Sequence, residues 1–512
     1  MQAVGDFLNA FNMEVSRISV TLSLFLIFLG LLYWFLFVLA GISLILYTSA
    51  YFRYYLGRRP VVIIADPDML RQLMVKDFSS FPNRMAFRFA TKPMTDCLLM
   101  LRNEQWKRVR SILTPSFSSA KLKEMVPLIN IAIDALMKNL NGHAESAQAF
   151  DIHKCFGYFT MDVIASVAFA TQVDSQNNPD DPFVHHAQMF FNFSFFRPIL
   201  LFFMAFPFLA APMAKLIPNE RRDKMNNFFI NSIQKIIKQR EEQPPEERRR
   251  DFLQLMLDAR TTKEIVSLDH FDTSNDPEEI EHRNQETQPS GSVQENDPPH
   301  SQEPSVRRPQ KKMMTEDEIV GQAFVFLLAG YETSSNTLAF TCYLLALHPE
   351  CQLKVQKEVD DFYTRHSPVK DFFDFKNKKV DHDCVVNGQF LPKGITVEIP
   401  AGFLHYDPEH WPEPEEFIPE RFTPEAKASR HPFVYLPFGA GPRNCVGMRL
   451  AQLEIKMALV RLFQSFSIVA CSETKVPLEL KSSSTLGPKN GIYVKITRRD
   501  QRDGPFISPS DD

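Results

Sequence analysis

One cysteine, Cys445, lies inside the string YLPFGAGPRNCVGMRLAQLEIKMALV (435–460), among glycines and just ahead of an amphipathic helical pattern. A lone cysteine is usually a small buried hydrophobe, but these neighbours suggest chemistry. Gly439, Gly441 and Gly447 let the backbone turn tightly and lie flat against a large planar ligand. The helix predicted to begin near Val446 aims unpaired N–H groups and the positive end of its dipole at the sulfur, and both favour a thiolate. With no nucleophilic partner and no second cysteine nearby, that thiolate suits metal ligation better than covalent catalysis. Arg443, two residues upstream, offers a cation to an anionic group on the same ligand.

The ten residues Phe438-Gly439-Ala440-Gly441-Pro442-Arg443-Asn444-Cys445-Val446-Gly447 resemble the haem-thiolate signature of the cytochrome P450 family at every characteristic position. The resemblance implies haem b, with Cys445 as the axial ligand of its iron. Two further segments fit it. AGYETS (329–334) is similar to the family's oxygen-binding helix segment, where Ala329 and Gly330 would leave room beside the haem and Glu332 with Thr333 would handle protons. Trp106-Lys107-Arg108-Val109-Arg110 resembles the family's WxxxR helix, which would bring Trp106 and Arg110, one turn apart, to a haem propionate.

Other elements must position these groups. RRPVVIIADPDMLRQLMV reads as a strand, a turn and a helix, and the pattern is then mainly helical to about Arg260. Thr315 and Glu318 form a capping box ahead of a long apolar helix that should end near His348. The last quarter carries short strands in CVVNGQFLPKGITVEIP, a Pro-rich stretch, the Cys445 helix and a closing strand pair around GIYVKI. Residues 268–312 are polar and Pro-rich, with too few apolar side chains to offset chain entropy, and read as a disordered loop. The fold class implied is mainly α with a small β subdomain: one large haem-thiolate domain over 53–500 with a flexible tail at 501–512.

Residues 18–52 contain no charge and are mostly Leu, Ile, Phe and Val. About 20 apolar residues cross a bilayer, so the run reads as a retained single-pass anchor after a lumenal stretch at 1–17. Arg53, Arg58 and Arg59 follow it, which places the body of the protein on the cytoplasmic side, at the endoplasmic reticulum. A second greasy patch, 189–218, is broken by Pro198, Pro207 and Pro212; it reads as short helices dipping into membrane lipid or as buried core. Seven scattered cysteines without a CxxC pair indicate a reducing compartment, and a net charge of -4 gives no sign of a nucleic-acid partner.

The resemblance is closest to the branch of the family that rearranges a prostaglandin endoperoxide. It includes YYLGRR, ADPDMLRQLMV, EERRRDFLQLMLDAR, HYDPEHWPEPEEFIPERFTPEA and LGPKNGIYVKI. It implies cleavage of the O–O bridge of that lipophilic substrate and closure to the thromboxane ring, or fragmentation to a hydroxy-heptadecatrienoic acid and malondialdehyde, without O2 or a reductase. There are three departures. Thr333 stands where that branch tends to carry an apolar residue, which keeps open a monooxygenase served by an NADPH-dependent reductase. The ExxR helix is missing, since Glu358 is followed at that spacing by Asp361, while Pro419-Glu420-Arg421-Phe422 is present. Arg421 is therefore expected against the core without its carboxylate, at a cost of about 3–5 kcal/mol, and an inactive isoform is a further alternative. The Pro-rich hinge expected after the anchor is also absent.

Overall fold

The computed structural model describes residues 59–85, 90–191, 219–260, 313–365, 377–379 and 384–499 with breaks of one or two residues, and before them 22, 24–31, 46–48 and 51–56. The segments at 1–17, 192–218, 268–312 and 501–512, for which a lumenal end, membrane-dipping helices, a loop and a tail are predicted, lie outside the described residues.

The β-branched run after Arg59 forms a strand as predicted. Strands β1 (Leu46–Thr48), β2 (Tyr51–Leu56) and β3 (Arg59–Ile64) pair antiparallel in sequence. β3 then pairs in parallel with β8 (Thr396–Glu398), and β5 (Asn377–Lys379) closes the order β1-β2-β3-β8-β5. Asp66 caps the next helix, α1 (Pro67–Arg71), by accepting from the Met69 N–H at 2.7 Å, with Pro67 in the first turn.

These strands shorten the predicted anchor. Leu46–Thr48 and the residues from Tyr51 onward belong to the sheet, with Arg53 opposite Val62, so the apolar run does not stay helical to Phe52. Aromatic side chains fit a pleated edge as well as they fit lipid. Residues 22 and 24–31 are helical and exposed. Among the described residues no helix is long and apolar enough to cross a membrane, and the rest of the run lies outside them.

The helical body follows the apolar spacing. It contains α2 (Asn103–Leu113), α3 (Ser119–Ser146), α4 (Ile152–Phe169) after the short strand β4 (Phe150–Asp151), α5 (Pro182–Phe191), α6 (Glu220–Glu242) and α7 (Phe252–Asp258). Next come α8 (Glu316–Leu347), α9 (Pro349–Arg365), α10 (Ala401–Leu404), α11 (Pro424–Ala428) and α12 (Met448–Ser465). A hairpin of β6 (Cys384–Val386) and β7 (Gln389–Leu391) follows α9, and β12 (Tyr493–Arg498) lies between β4 and β9 (Phe466–Val469). A second hairpin, β10 (Leu480–Ser482) with β11 (Leu486–Pro488), stands beside α8.

Both halves of the predicted capping box start α8: the Thr315 hydroxyl accepts from the Glu318 N–H, and the Glu318 carboxylate accepts from the Thr315 N–H. From Ile319 to Ser335 the helix is buried on nearly every face, as expected of a helix apolar all round. Two glycines allow neighbours to close on it. A Cβ at Gly321 would lie 2.8 Å from the Asp96 carbonyl carbon, and one at Gly330 would lie 2.8 Å from Ile164 Cγ1 on α4. Gly330 was expected beside the haem, but its missing side chain makes room for α4 instead.

Gly330→Val should therefore destabilise the fold by about 1–3 kcal/mol through overpacking, measured as a lower denaturant midpoint. An unchanged midpoint would show that α4 moves freely away from α8.

Candidate active site

Gly439 and Gly441 carry the turn before Cys445 with φ of 66° and 68°, the left-handed region that side chains disfavour. A Cβ at Gly441 would also lie 2.0 Å from the Met74 carbonyl oxygen, so the loop is pressed onto the segment after α1. The Cys445 N–H donates to the carbonyl of buried Phe438 at 2.9 Å, which closes the turn. α12 begins at Met448 with Gly447 as its N-cap, two residues later than predicted. Gly447 has an ordinary φ of -89°, and a Cβ there would meet only the Phe117 ring, at 3.9 Å. Packing within the protein does not demand this glycine.

Arg443 is 4% exposed, and its guanidinium donates to the carbonyls of Pro82 (3.0 Å), Leu98 (3.4 Å) and Leu101 (3.0 Å) while lying 4.1 Å over the Trp106 ring. Arg110, one turn after Trp106 on α2, donates to the backbone carbonyl (3.0 Å) and the side-chain oxygen (2.7 Å) of Asn444. The WxxxR residues thus brace the cysteine loop, Trp106 against Arg443 and Arg110 on Asn444, whereas the resemblance implies for them a haem propionate. Burial, then Arg84, Arg110 and Arg102, push the Arg443 pKa down to about 8. Arg110 is pushed down to about 10, first by burial, with Cys445 acting in the opposite sense. Arginine does not give up its proton at such sites, so the shifts reflect chiefly how deeply the two guanidiniums are buried, with neighbouring arginines adding positive charge around Arg443.

Arg84 and Arg102 were not singled out from the sequence. Arg102 did carry a signal, because it occupies the N-cap of α2, where a cation opposes the helix dipole and no capping bond forms. A charge placed against the local preference marks a longer-range role. Arg84 has no comparable local sign.

On α8, Ala329 and Thr333 are the exposed residues in the buried stretch, four apart on one face. Phe326, one turn earlier, stacks on Phe117 at 5.7 Å, and Phe117 is the ring that faces Gly447, so the open strip and the cysteine loop meet around one side chain. The Thr333 hydroxyl donates to the Ala329 carbonyl at 2.6 Å. Glu332, expected to handle protons beside Thr333, turns elsewhere. It is 4% exposed and accepts from the Thr485 hydroxyl at 2.9 Å, with Lys481 Nζ at 3.6 Å. Burial raises its pKa, while Lys481 and Thr485 lower it.

Arg421 is also placed differently from expectation. It is half-exposed, and its guanidinium donates to the Glu413 carbonyl at 2.5 Å, so no buried unpaired charge arises at that position.

The Cys445 thiol, four guanidiniums and a strip of small side chains fit a flat, dianionic, iron-bearing ring with two carboxylates. A model of the family "Cytochrome P450" matches residues 47–276, 300–375 and 369–496. The chain belongs to the cytochrome P450 family. It is an enzyme of that family, and membership implies haem-thiolate binding. The second and third matches meet at 369–375, where the ExxR helix is missing. The chain is 45% identical to thromboxane-A synthase of Sus scrofa and 46% identical to that of Macaca fascicularis, each over 87% of this chain and 85% of the relative. It is 36% identical to cytochrome P450 3A5 of Homo sapiens, over 87% and 84%.

His405 also supports the loop, since its Nε2 accepts from the Leu436 N–H at 2.9 Å. Burial lowers the His405 pKa from 6.5 to about 4. As pH falls below about 6.5 the unfolded chain takes up this proton first, so stability should decline down to about pH 4 and be flat above 6.5. His405→Gln keeps an acceptor for Leu436 and should lose that part of the acid slope in denaturant midpoints; an identical slope would exclude His405 as its source. Cys445→Ser should abolish the red-shifted Soret band of the reduced, carbon monoxide-treated protein. An unaltered band would refute the ligand assignment.

Proposed function

We propose that the chain is an isomerase of the thromboxane-synthase type, converting prostaglandin H2 endoperoxide to thromboxane A2 with hydroxy-heptadecatrienoic acid and malondialdehyde as side products. One observation on α8 favours this over oxygen activation. The Thr333 proton is committed to the Ala329 carbonyl, and the Glu332 carboxylate faces Thr485 and Lys481. Neither side chain is turned to deliver protons to the open strip. Oxygen activation consumes protons, whereas isomerisation rearranges one molecule with no net uptake of protons or electrons.

Haem b ligated by Cys445 would supply the iron at which the peroxide bridge is opened. Arg84, Arg102, Arg110 and Arg443 would hold its carboxylates. Ala329 leaves volume for the substrate, and Thr333 presents its methyl and an oxygen whose proton is already bonded. Phe117, Phe252 and Phe326, with Phe252 and Phe326 centroids 4.2 Å apart, form an apolar wall that excludes water. Such a wall suits a twenty-carbon lipid arriving from membrane lipid, and the reading includes attachment to the endoplasmic reticulum membrane with the catalytic body in the cytoplasm.

The test is conversion of the endoperoxide by purified, haem-loaded chain without reductase or NADPH. Thromboxane together with the seventeen-carbon hydroxy acid is the expected result. Turnover of lipids only with NADPH, reductase and O2 would make the chain a monooxygenase. Failure of the purified chain to hold haem would identify it as an inactive form lacking the ExxR helix.

A further inference from the structure

Along one face of α12, Leu450, Ala458 and Leu462 form a buried apolar stripe at helical spacing, and Glu454 stands in the middle of it, equally buried. It lies within the first two turns of the helix that opens behind Cys445. Its Oε2 accepts at 3.3 Å from the hydroxyl of Ser334, the residue after Thr333 on α8, and its Oε1 has no hydrogen-bond partner among the described residues. The carboxyl therefore sits where α8 and α12 touch, with one long bond and one bare oxygen.

An anion in that place would be poorly met. α12 packs on α8, α3, α9 and β9. Glu332 of α8 faces Lys481, Asp134 of α3 faces Arg461 and Asp360 of α9 faces Arg499, while β9 carries no charge. No charged side chain from these elements acts on Glu454. A buried carboxylate without a partner takes up a proton instead. Burial accordingly raises the Glu454 pKa to about 8, and the Ser334 hydrogen bond acts in the opposite sense.

We propose that Glu454 is a positioning residue that acts as a neutral acid, pinning the turn of α8 that carries Thr333 onto the helix that opens behind Cys445. The pin holds while the proton is kept and weakens as pH rises, because a Glu454 released to water gives that proton up. Exposed, the group titrates at 4.5, so its contribution is present in full below that pH and is lost progressively up to about pH 8. The proposal does not depend on the isomerase reading.

The test is amide hydrogen exchange over 330–338 as a function of pH in the full chain, for the parent, Glu454→Gln and Ser334→Ala. After correction for intrinsic exchange, opening in the parent should grow about 10-fold per pH unit up to about pH 8 and then level off, as release of one proton requires. Glu454→Gln keeps an acceptor for Ser334 but has no proton to release, and should lack that growth. Ser334→Ala removes the one bond that favours the anion, so the growth should continue to higher pH than in the parent; a general loosening of the contact would not move it upward. Release of haem from the loaded chain should quicken with pH in the parent and stay level in Glu454→Gln. Equal slopes in the parent and Glu454→Gln, in exchange or in haem release, would overturn the proposal. So would growth in Ser334→Ala that levels off at or below the parent's pH, and that comparison decides the matter where Glu454→Gln does not fold.

Discussion

The buried guanidinium of Arg443 constrains the structure around it. Its N–H groups must be bonded, and they reach carbonyls at Pro82, Leu98 and Leu101 in the segment ahead of α2. That segment is also held by α8. Gln322 accepts from the Leu98 N–H at 2.6 Å and donates to the Asp96 carbonyl at 2.8 Å, and Gly321 lets the backbone at Asp96 approach. One strap of chain therefore joins the cysteine loop to the helix bearing Ala329 and Thr333. The spacing between them, where a flat ring would lie, is set by hydrogen bonds from the Arg443 and Gln322 side chains to the backbone of that strap and not by apolar packing alone. Carbonyl dipoles satisfy the directions of the guanidinium but leave its positive charge, and Arg84, Arg102 and Arg110 add to it. The architecture that positions the thiol thus also creates the demand for carboxylates.

The AGYET segment looks like a single chemical unit in the sequence and serves three directions in space. Successive helical residues point about 100° apart. Ala329 and Thr333 share the open face, Gly330 admits Ile164 of α4, and Glu332 meets the β10–β11 hairpin. Only part of the motif faces the reacting molecule. The rest holds the helix at a fixed distance from its neighbours, and this makes the open strip a defined surface.

Local signals were legible in the sequence wherever they were self-contained. The Thr315–Glu318 box, the strand and capped helix around Asp66, and the two left-handed glycines before Cys445 each depend on residues a few positions apart. What could not be read was direction. In a helix buried on nearly every side, apolar spacing does not reveal which face Glu332 or Gly330 occupies, because the contacts that decide it come from Thr485 and Ile164, over a hundred residues away in the chain. Arg84 joins the cluster around Arg443 through the fold alone, whereas Arg102 opposes a helix dipole and could have been noticed.

The missing ExxR segment has a smaller electrostatic consequence than its absence suggests. Removing one partner of a buried ion pair is costly because the other stays desolvated. Arg421 is not left in that state: with the segment gone it is half-exposed and bonded to the Glu413 carbonyl. The adjoining stretch has its own fastenings, because Trp411 donates to the Leu404 carbonyl at 2.8 Å and the Arg430 guanidinium stacks on its ring at 3.9 Å. The cysteine loop, for its part, hangs on His405 through Leu436 and on Arg443 through the strap ahead of α2, and none of these residues belongs to the missing segment. The bonds that shape the thiolate turn are therefore in place without that segment. The turn that presents the sulfur and the guanidiniums gathered beside it thus form from contacts among residues that this chain retains.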